Sequence, residues 1–380
     1  MKEWKKVKFL DYIELNPKVL INKGEICPFI EMANVDCNMR QPRSFEYKPF
    51  TSGVKFQTYD TVIARIEPCL QNGKGFLFTK QGVGFGSTEY LVFRAKPSKT
   101  IPLFVYYFMR THKIKTLMCN SMSGATGRQR VNNDVFLNLE VDIPNYDEQQ
   151  RIATILSRYD SLIGNYQKQI KLLEESAQRL YKEWFIDLRF PGHENTKIVD
   201  GIPEGWEKKP VDTIYSIKYG KNLSTKLISE NGKFPVYGAN GVIGYYDKAN
   251  CNEQVVLITS RGNGSGDVLM TYHKEAFITN NSFIVTPLEE YLYCQLPFTY
   301  QFLKCVNFRN VRTGAAQPQL TNQSIHTIDV ILPTKDVIVE FCKKTDSNNS
   351  LIINLKEYIR HLTEARDRLL PKLMGGDIIV

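Results

Sequence analysis

Ile152-Ala153-Thr154-Ile155-Leu156-Ser157-Arg158-Tyr159 opens a stretch that runs to Trp184 without a proline. Steps of four and three from Ile152 meet Leu156, Tyr159, Ile163, Tyr166, Ile170, Leu173, Ala177, Leu180 and Trp184, an unbroken apolar seam. A sustained period of 3.5 residues predicts a helix that pairs with another helix in a coiled coil. Adding 189 to each number gives Phe341, Thr345, Asn348, Ile352, Leu355, Ile359, Leu362, Arg366, Leu369 and Leu373. This second seam is apolar from Ile352 onward except at Arg366. The two stretches share a local frame, Glu175 with Arg179-Leu180 against Glu364 with Arg368-Leu369, again 189 apart. Each seam needs a partner, and an antiparallel pair would make a spacer: Ile152 to Trp184 is 33 residues, or about 50 Å. Two independent core helices that keep heptad phase are the other reading.

The rest of the chain repeats with the seams. Trp4-Lys5-Lys6-Val7 and Trp206-Glu207-Lys208-Lys209 open the halves. Ser123-Gly124-Ala125-Thr126-Gly127-Arg128-Gln129 and Thr313-Gly314-Ala315-Ala316-Gln317-Pro318-Gln319 recur near their ends. Strand-like runs ending in proline follow, Val141-Asp142-Ile143-Pro144 and Ile331-Leu332-Pro333. Before each seam lie short β-type runs punctuated by Gly, Asn and Pro, with short helices expected at Leu103 to Leu117 and Glu289 to Val306. The fold class expected is α+β: two globular domains, 1–146 and 191–334, separated by two long antiparallel coiled-coil helices, 147–190 and 335–380, in a pseudo-twofold internal repeat.

Composition narrows the function. The chain has 380 residues, 49 Lys and Arg against 40 Asp and Glu, and a net charge of +9. No apolar stretch approaches the ~20 residues that span a bilayer. No secretory signal is read at Met1-Lys2-Glu3-Trp4, so a cytoplasmic location is expected. The eight cysteines are scattered without zinc-ligand spacing and read as buried small hydrophobes. Asn16-Pro17-Lys18-Val19 lacks the aromatic that stacks on a flipped adenine in amino-methyltransferases, and no phosphate-binding Gly-x-x-x-x-Gly-Lys loop occurs. The Gly-rich stretches 82–87 and 262–267 read as tight turns. No catalytic residue, metal site or cofactor site is expected in this chain.

Binding chemistry is better represented. Arg reads guanine edges, Asn and Gln read adenine, and Lys positions phosphates. Candidate DNA-binding residues in the first half are Arg40, Arg43, Arg65, Asn72, Lys74, Arg128, Gln129 and Arg130. Those in the second are Lys221, Tyr237, Asn240, Tyr245, Arg261, Asn263, Arg309, Arg312, Gln317 and Gln319. The bland alternative for each loop is solvated surface. Residues 1–150 carry 21 basic and 15 acidic side chains, whereas 191–334 carry 13 of each, so phosphate attraction belongs mainly to the first half.

The sequence resembles the specificity (S) subunits of type I restriction-modification enzymes over nearly its whole length. The resemblance is carried by Val236-Tyr237-Gly238-Ala239-Asn240-Gly241-Val242-Ile243-Gly244-Tyr245, Thr313-Gly314-Ala315-Ala316-Gln317-Pro318-Gln319-Leu320, Ile143-Pro144 with Glu148-Gln149-Gln150-Arg151, and Gly201-Ile202-Pro203-Glu204-Gly205-Trp206. The first half departs from the pattern with Ala125-Thr126-Gly127-Arg128-Gln129-Arg130, and the second with Val337-Ile338-Val339-Glu340. The resemblance implies a non-catalytic subunit that reads a split, asymmetric site in double-stranded DNA, one target-recognition domain per half-site. Its implied partners are two modification (methyltransferase) subunits, which bring S-adenosylmethionine, and optionally two restriction subunits, which use ATP and Mg²⁺. Trp184, Phe185, Leu373 and Met374 are expected either as exposed docking points for the modification subunits or, equally, as ordinary core packing. A coiled-coil adaptor without DNA specificity is the alternative function.

Overall fold

The computed structural model describes residues 4–125, 127–314, 318–378 and 380. The chain divides into two compact units, Met1–Lys168 with Glu357–Val380, and Gln169–Lys356. The division falls inside both long helices. No helix among the described residues is long and apolar enough to cross a membrane.

In the first unit a four-stranded antiparallel sheet has the order Ile13–Leu15, Tyr90–Ala95, Thr61–Ala64, Gly75–Leu77. Its β-branched and aromatic residues alternate between two cores, as the period of two in a strand requires. Ile63, Leu91 and Phe93 face the cluster containing Phe104 and Phe108, while Val62, Phe76 and Val92 face Phe56 and Phe78. A second sheet has the order Glu46–Pro49, Ile26–Ile30, Val83–Gly86, Val54–Gln57, with Ile26–Ile30 parallel to Val83–Gly86. Here the expectation of a tight turn at 82–87 is corrected. Val83–Gly86 is a strand, and its glycines admit close neighbours: a Cβ on Gly86 would stand 2.6 Å from the Ile30 carbonyl oxygen. The helix expected at Leu103 to Leu117 is two helices, Pro102–Met109 and His112–Asn120, the second restarted by the Thr111 cap.

The second unit repeats this plan. Its four-stranded antiparallel sheet has the order Tyr215–Tyr219, Ser282–Pro287, Val256–Thr259, Val268–Met270. Beside it in the chain's layout, Gly241–Tyr246, Phe234–Gly238 and Phe277–Ile278 form a three-stranded sheet whose last pair is parallel. The edge strand Val54–Gln57 is reduced there to a single antiparallel bridge, Cys251 with Ala276. The helix expected at Glu289 to Val306 is Leu296–Cys305, with a single 3₁₀ turn, Glu289–Tyr291, before it. Each half closes with an antiparallel pair, Lys5–Lys8 with Glu140–Ile143 and Glu207–Pro210 with Asp329–Leu332, immediately before its long helix.

The long helices are Tyr146–Tyr181, continued by a π turn at Lys182–Ile186, and Lys335–Met374. Gln149 pins the start of the first. Its amide oxygen accepts from Thr100 Oγ1 at 2.7 Å and its nitrogen donates to the Lys99 and Pro144 carbonyls at 3.1 and 3.0 Å. In the second helix the residue 189 further on is Ile338, fully buried, so an apolar contact replaces the amide.

Within the first unit the two helices run antiparallel: Asp160 meets Arg366 at 2.8 Å and Tyr166 meets Tyr358 with ring centroids 6.0 Å apart. Within the second unit Tyr181 and Trp184 pack on Phe341 at 5.9 and 6.0 Å. Ile152, Leu156, Ile163, Ile170, Ile352, Leu355 and Leu373 of the expected seam are buried. Tyr159, Tyr166, Leu173, Leu180, Ile359, Leu362 and Leu369 are half-buried. Arg366, the apparent break in the seam, is 5% exposed.

Lys356 sits half-buried in the second unit, its ammonium 3.1 Å from the centre of the Tyr272 ring. Burial lowers its pKa to about 8, opposed by the nearby Glu174 carboxylate. An unfolded chain would hold this proton up to the ordinary lysine pKa, so this group makes stability rise with pH from about 8 to 10.5. Lys356→Met is therefore expected to be more stable than the unmodified chain at pH 7, with the advantage shrinking as pH rises through that window. Denaturant midpoints measured at pH 7, 8.5 and 10 check it.

A candidate nucleic-acid interface in each unit

In the first unit the sheet itself assembles a basic corner. The strand Thr61–Ala64 runs out through Arg65 and Ile66, and Ile66 bridges to Arg130 of the short strand Arg130–Val131. Arg65 is held from three sides. Its backbone N–H donates to the Glu89 carbonyl at 2.9 Å, its carbonyl accepts from Val131 N at 2.9 Å, and its guanidinium donates to the Val131 carbonyl at 3.2 Å. Glu67 N donates to the Gln129 carbonyl at 3.0 Å. The result brings Arg65, Arg128, Gln129 and Arg130 together, with Arg128 and Arg130 exposed. Arg130 is locked by Glu89: Nε stands 3.0 and 2.9 Å from the two carboxylate oxygens and Nη2 2.6 Å from one of them. These charge-assisted bonds hold the Arg130 pKa above its already high ordinary value.

The second unit builds the same corner at the same point of the sheet. Val256–Thr259 runs out through Ser260 to Arg261, which bridges to Gln319. Gly262 N donates to the Pro318 carbonyl at 3.0 Å and Leu320 N to the Ser260 carbonyl at 2.8 Å. The 262–267 stretch is the turn its glycines predict. Arg312 donates to the Ser265 carbonyl, Arg309 donates to Asp267 at 2.8 Å, and the Asn240 side chain lies beside Gly264. Arg261, Asn263, Arg309, Gln319 and Asn240 are exposed around this corner. Gln317 lies outside the described residues. Lys221 is exposed and pairs through its backbone with Ile278 and Asn280.

Other candidates fall elsewhere, and several are corrected. Tyr237 is 3% exposed, bonds through its hydroxyl with His273 at 2.9 Å and Tyr272 N at 3.1 Å, and is core rather than a base reader. Tyr245 is half-buried in its strand, its backbone paired with Ser229. Arg40 turns onto the first long helix, donating to Ser157 O at 3.5 Å and Ser161 Oγ at 3.3 Å, and Lys74 caps the Met32 carbonyl at 2.8 Å. Both serve internal packing. Arg43 is ion-paired with Asp36, and Asn72 is exposed in the 66–74 loop.

For the expected docking residues the core-packing reading holds and the exposed one is corrected. Trp184, Phe185, Leu373 and Met374 are 5%, 8%, 1% and 7% exposed, because the helix ends are plugged into the hydrophobic clusters of their units.

Sequence reasoning passed over the acidic partners at both corners. Glu89 lies 41 residues from Arg130 and Asp267 lies 42 from Arg309, so no local pattern marks them.

The chain is a duplicated α+β protein with an Arg- and Gln-bearing loop at the same corner of each half. The chain belongs to the family described as the type I restriction modification DNA specificity domain, whose model matches residues 1–175 and 203–361. It is 28% identical over 304 residues to the type I restriction enzyme MjaIX specificity subunit of Methanocaldococcus jannaschii, covering 73% of this chain and 69% of that one. It is 22% identical over 385 residues to the HindI specificity subunit of Haemophilus influenzae, covering 77% and 81%. The crystal structure of a type I restriction-modification S subunit from M. genitalium matches with a TM-score of 0.57 at 19% identity over 98% of this chain and 96% of that one, a likeness of fold.

Proposed function

We propose that this chain reads a bipartite, asymmetric DNA site, one half-site per unit, and recruits methyltransferase subunits to it, with restriction subunits as further partners. The chemistry is then the partners': S-adenosylmethionine serves adenine methylation and ATP with Mg²⁺ serves restriction, while this chain supplies sequence choice. The observation that carries the reading is the repeated corner, Ile66 bridged to Arg130 and Arg261 bridged to Gln319, with exposed Arg around each. Arg and Gln on sheet-anchored loops combine direct reading of base edges with phosphate positioning. The complex with methyltransferase subunits should retard a cognate duplex in a salt-sensitive way and leave a scrambled duplex of equal length largely free. Equal retardation of both would remove sequence reading and leave an adaptor.

The reading also gives the long helices a job as spacer. One heptad is about 10 Å of helix, or roughly three base pairs of duplex at ~3.4 Å each. Deleting one heptad from each long helix is expected to shorten the gap between half-sites by about that amount, measured by mapping methylated adenines. An unchanged gap would contradict the spacer role.

A further inference from the structure

The corner of the first unit holds its arginine in a way that leaves one donor pair over. A guanidinium has five N–H donors in a rigid planar fork. In Arg130 the side-on edge, Nε with Nη2, faces the Glu89 carboxylate, and Nη1 also donates to the Arg128 carbonyl at 3.3 Å. Three donors are so occupied, which leaves one N–H on Nη1 and one on Nη2. That pair matches the O6 and N7 acceptors of guanine in the major groove. We propose that Glu89 is a positioning residue that fixes Arg130 as a bidentate reader of one guanine in the half-site taken by the first unit.

The carboxylate is itself anchored by regular structure. Glu89 directly precedes the strand Tyr90–Ala95, its carbonyl accepts from Arg65 N, and its own N–H donates to Ser87 Oγ at 3.1 Å. Its side chain is 22% exposed while that of Arg130 is 46% exposed, so the buttress is partly sheltered and the arginine is presented. A reader held by such a second residue loses little rotamer freedom on binding. The second unit has an Arg–carboxylate pair of its own at other positions, Arg309 on Asp267 through one bond at 2.8 Å, while the residues that match Arg130 and Glu89 in the sheet are Gln319 and Asn281. A carboxylate close to DNA opposes phosphate attraction, so its presence at both corners is explained by orientation, not by affinity.

The inference rests on the first unit being a DNA reader, and the test separates the two. The chain in complex with methyltransferase subunits is presented with a duplex library randomised across the site, and bound sequences are counted. The unmodified complex should select guanine at one position that Arg130→Lys relaxes by roughly tenfold or more, as expected for loss of a bidentate contact. Glu89→Ala and Glu89→Gln should relax that same position and no other, while affinity for scrambled duplex stays level or rises because a negative charge is gone. Retention of the guanine preference in both Glu89 variants would overturn the inference alone, as would equal weakening at every position, the mark of a residue that merely supports the loop. Selection of no sequence by the unmodified complex would overturn the DNA-reading function and the inference with it.

Discussion

Asp160→Ala is expected to destabilise the first unit by about 3–5 kcal/mol, the scale for removing one partner of a buried ion pair. Asp160 is 7% exposed and Arg366 5%. The carboxylate accepts from Arg366 at 2.8 Å on one oxygen and from the Tyr107 hydroxyl on the other. Arg366 also donates to the Asn38 carbonyl at 3.1 Å and to Asp367 at 2.9 Å. Burial works against the Arg366 charge, and the Asp367 and Asp160 carboxylates outweigh it, holding its pKa above the ordinary value. Burial, together with the Asp160 charge, pushes the Tyr107 phenol upward, which keeps it a donor. Removing Asp160 leaves the buried guanidinium with one carboxylate partner in place of two and strands the buried Tyr107 hydroxyl. Replacing both charges at once, Asp160→Leu with Arg366→Met, should recover much of the loss, since an apolar pair of similar volume is often as stable as the ion pair. Guanidinium unfolding of the two variants decides it; a loss below about 1 kcal/mol for Asp160→Ala would show that the guanidinium relaxes to other partners.

Phe341→Ala should cost about 3–5 kcal/mol in the second unit, the usual range for deleting a fully buried aromatic. Phe341 is wholly buried where the long helices meet the globular core, with ring contacts to Tyr181, Trp184, Phe185 and Phe298 between 5.3 and 6.3 Å. Ile186→Ala, at a position 55% exposed, should change stability by less than about 0.5 kcal/mol. The same burial alters how Trp184 variants are interpreted. A Trp184→Ala chain that fails to co-purify with a methyltransferase subunit would report a damaged core, so partner contacts are better probed at exposed helix residues such as Leu172 and Leu351, 55% and 44% exposed.

The repeat, the long helices and their antiparallel pairing were legible because each rests on short-range periodicity and on a constant 189-residue offset. The loop corners were legible in part, since Arg65 with 128–130, and Arg261 with Gln319, are chemically suited residues in matching places of both halves. What local patterns do not contain is the partner across the fold. Arg366 looks like a flaw in a heptad seam until Asp160, 206 residues away, stands opposite it. Tyr237 sits in the middle of a family motif and looks like a DNA-binding residue, yet its ring belongs to the cluster with Leu257 and Ile278. Trp184 and Phe185 look exposed only if the helix end is taken to project freely. Gly84 and Gly86 look like a turn because glycine marks both turns and strands where another chain segment approaches closely.

Each unit is proposed to read its own half-site through the corner where its core strand meets the loop that bridges to it. The most direct measurement is site selection from randomised duplexes by the assembled methyltransferase complex carrying Arg261→Ala. Base preference should fall at positions within one half-site while the other half-site is selected as strongly as before. Equal loss in both halves, or no change in either, would contradict it.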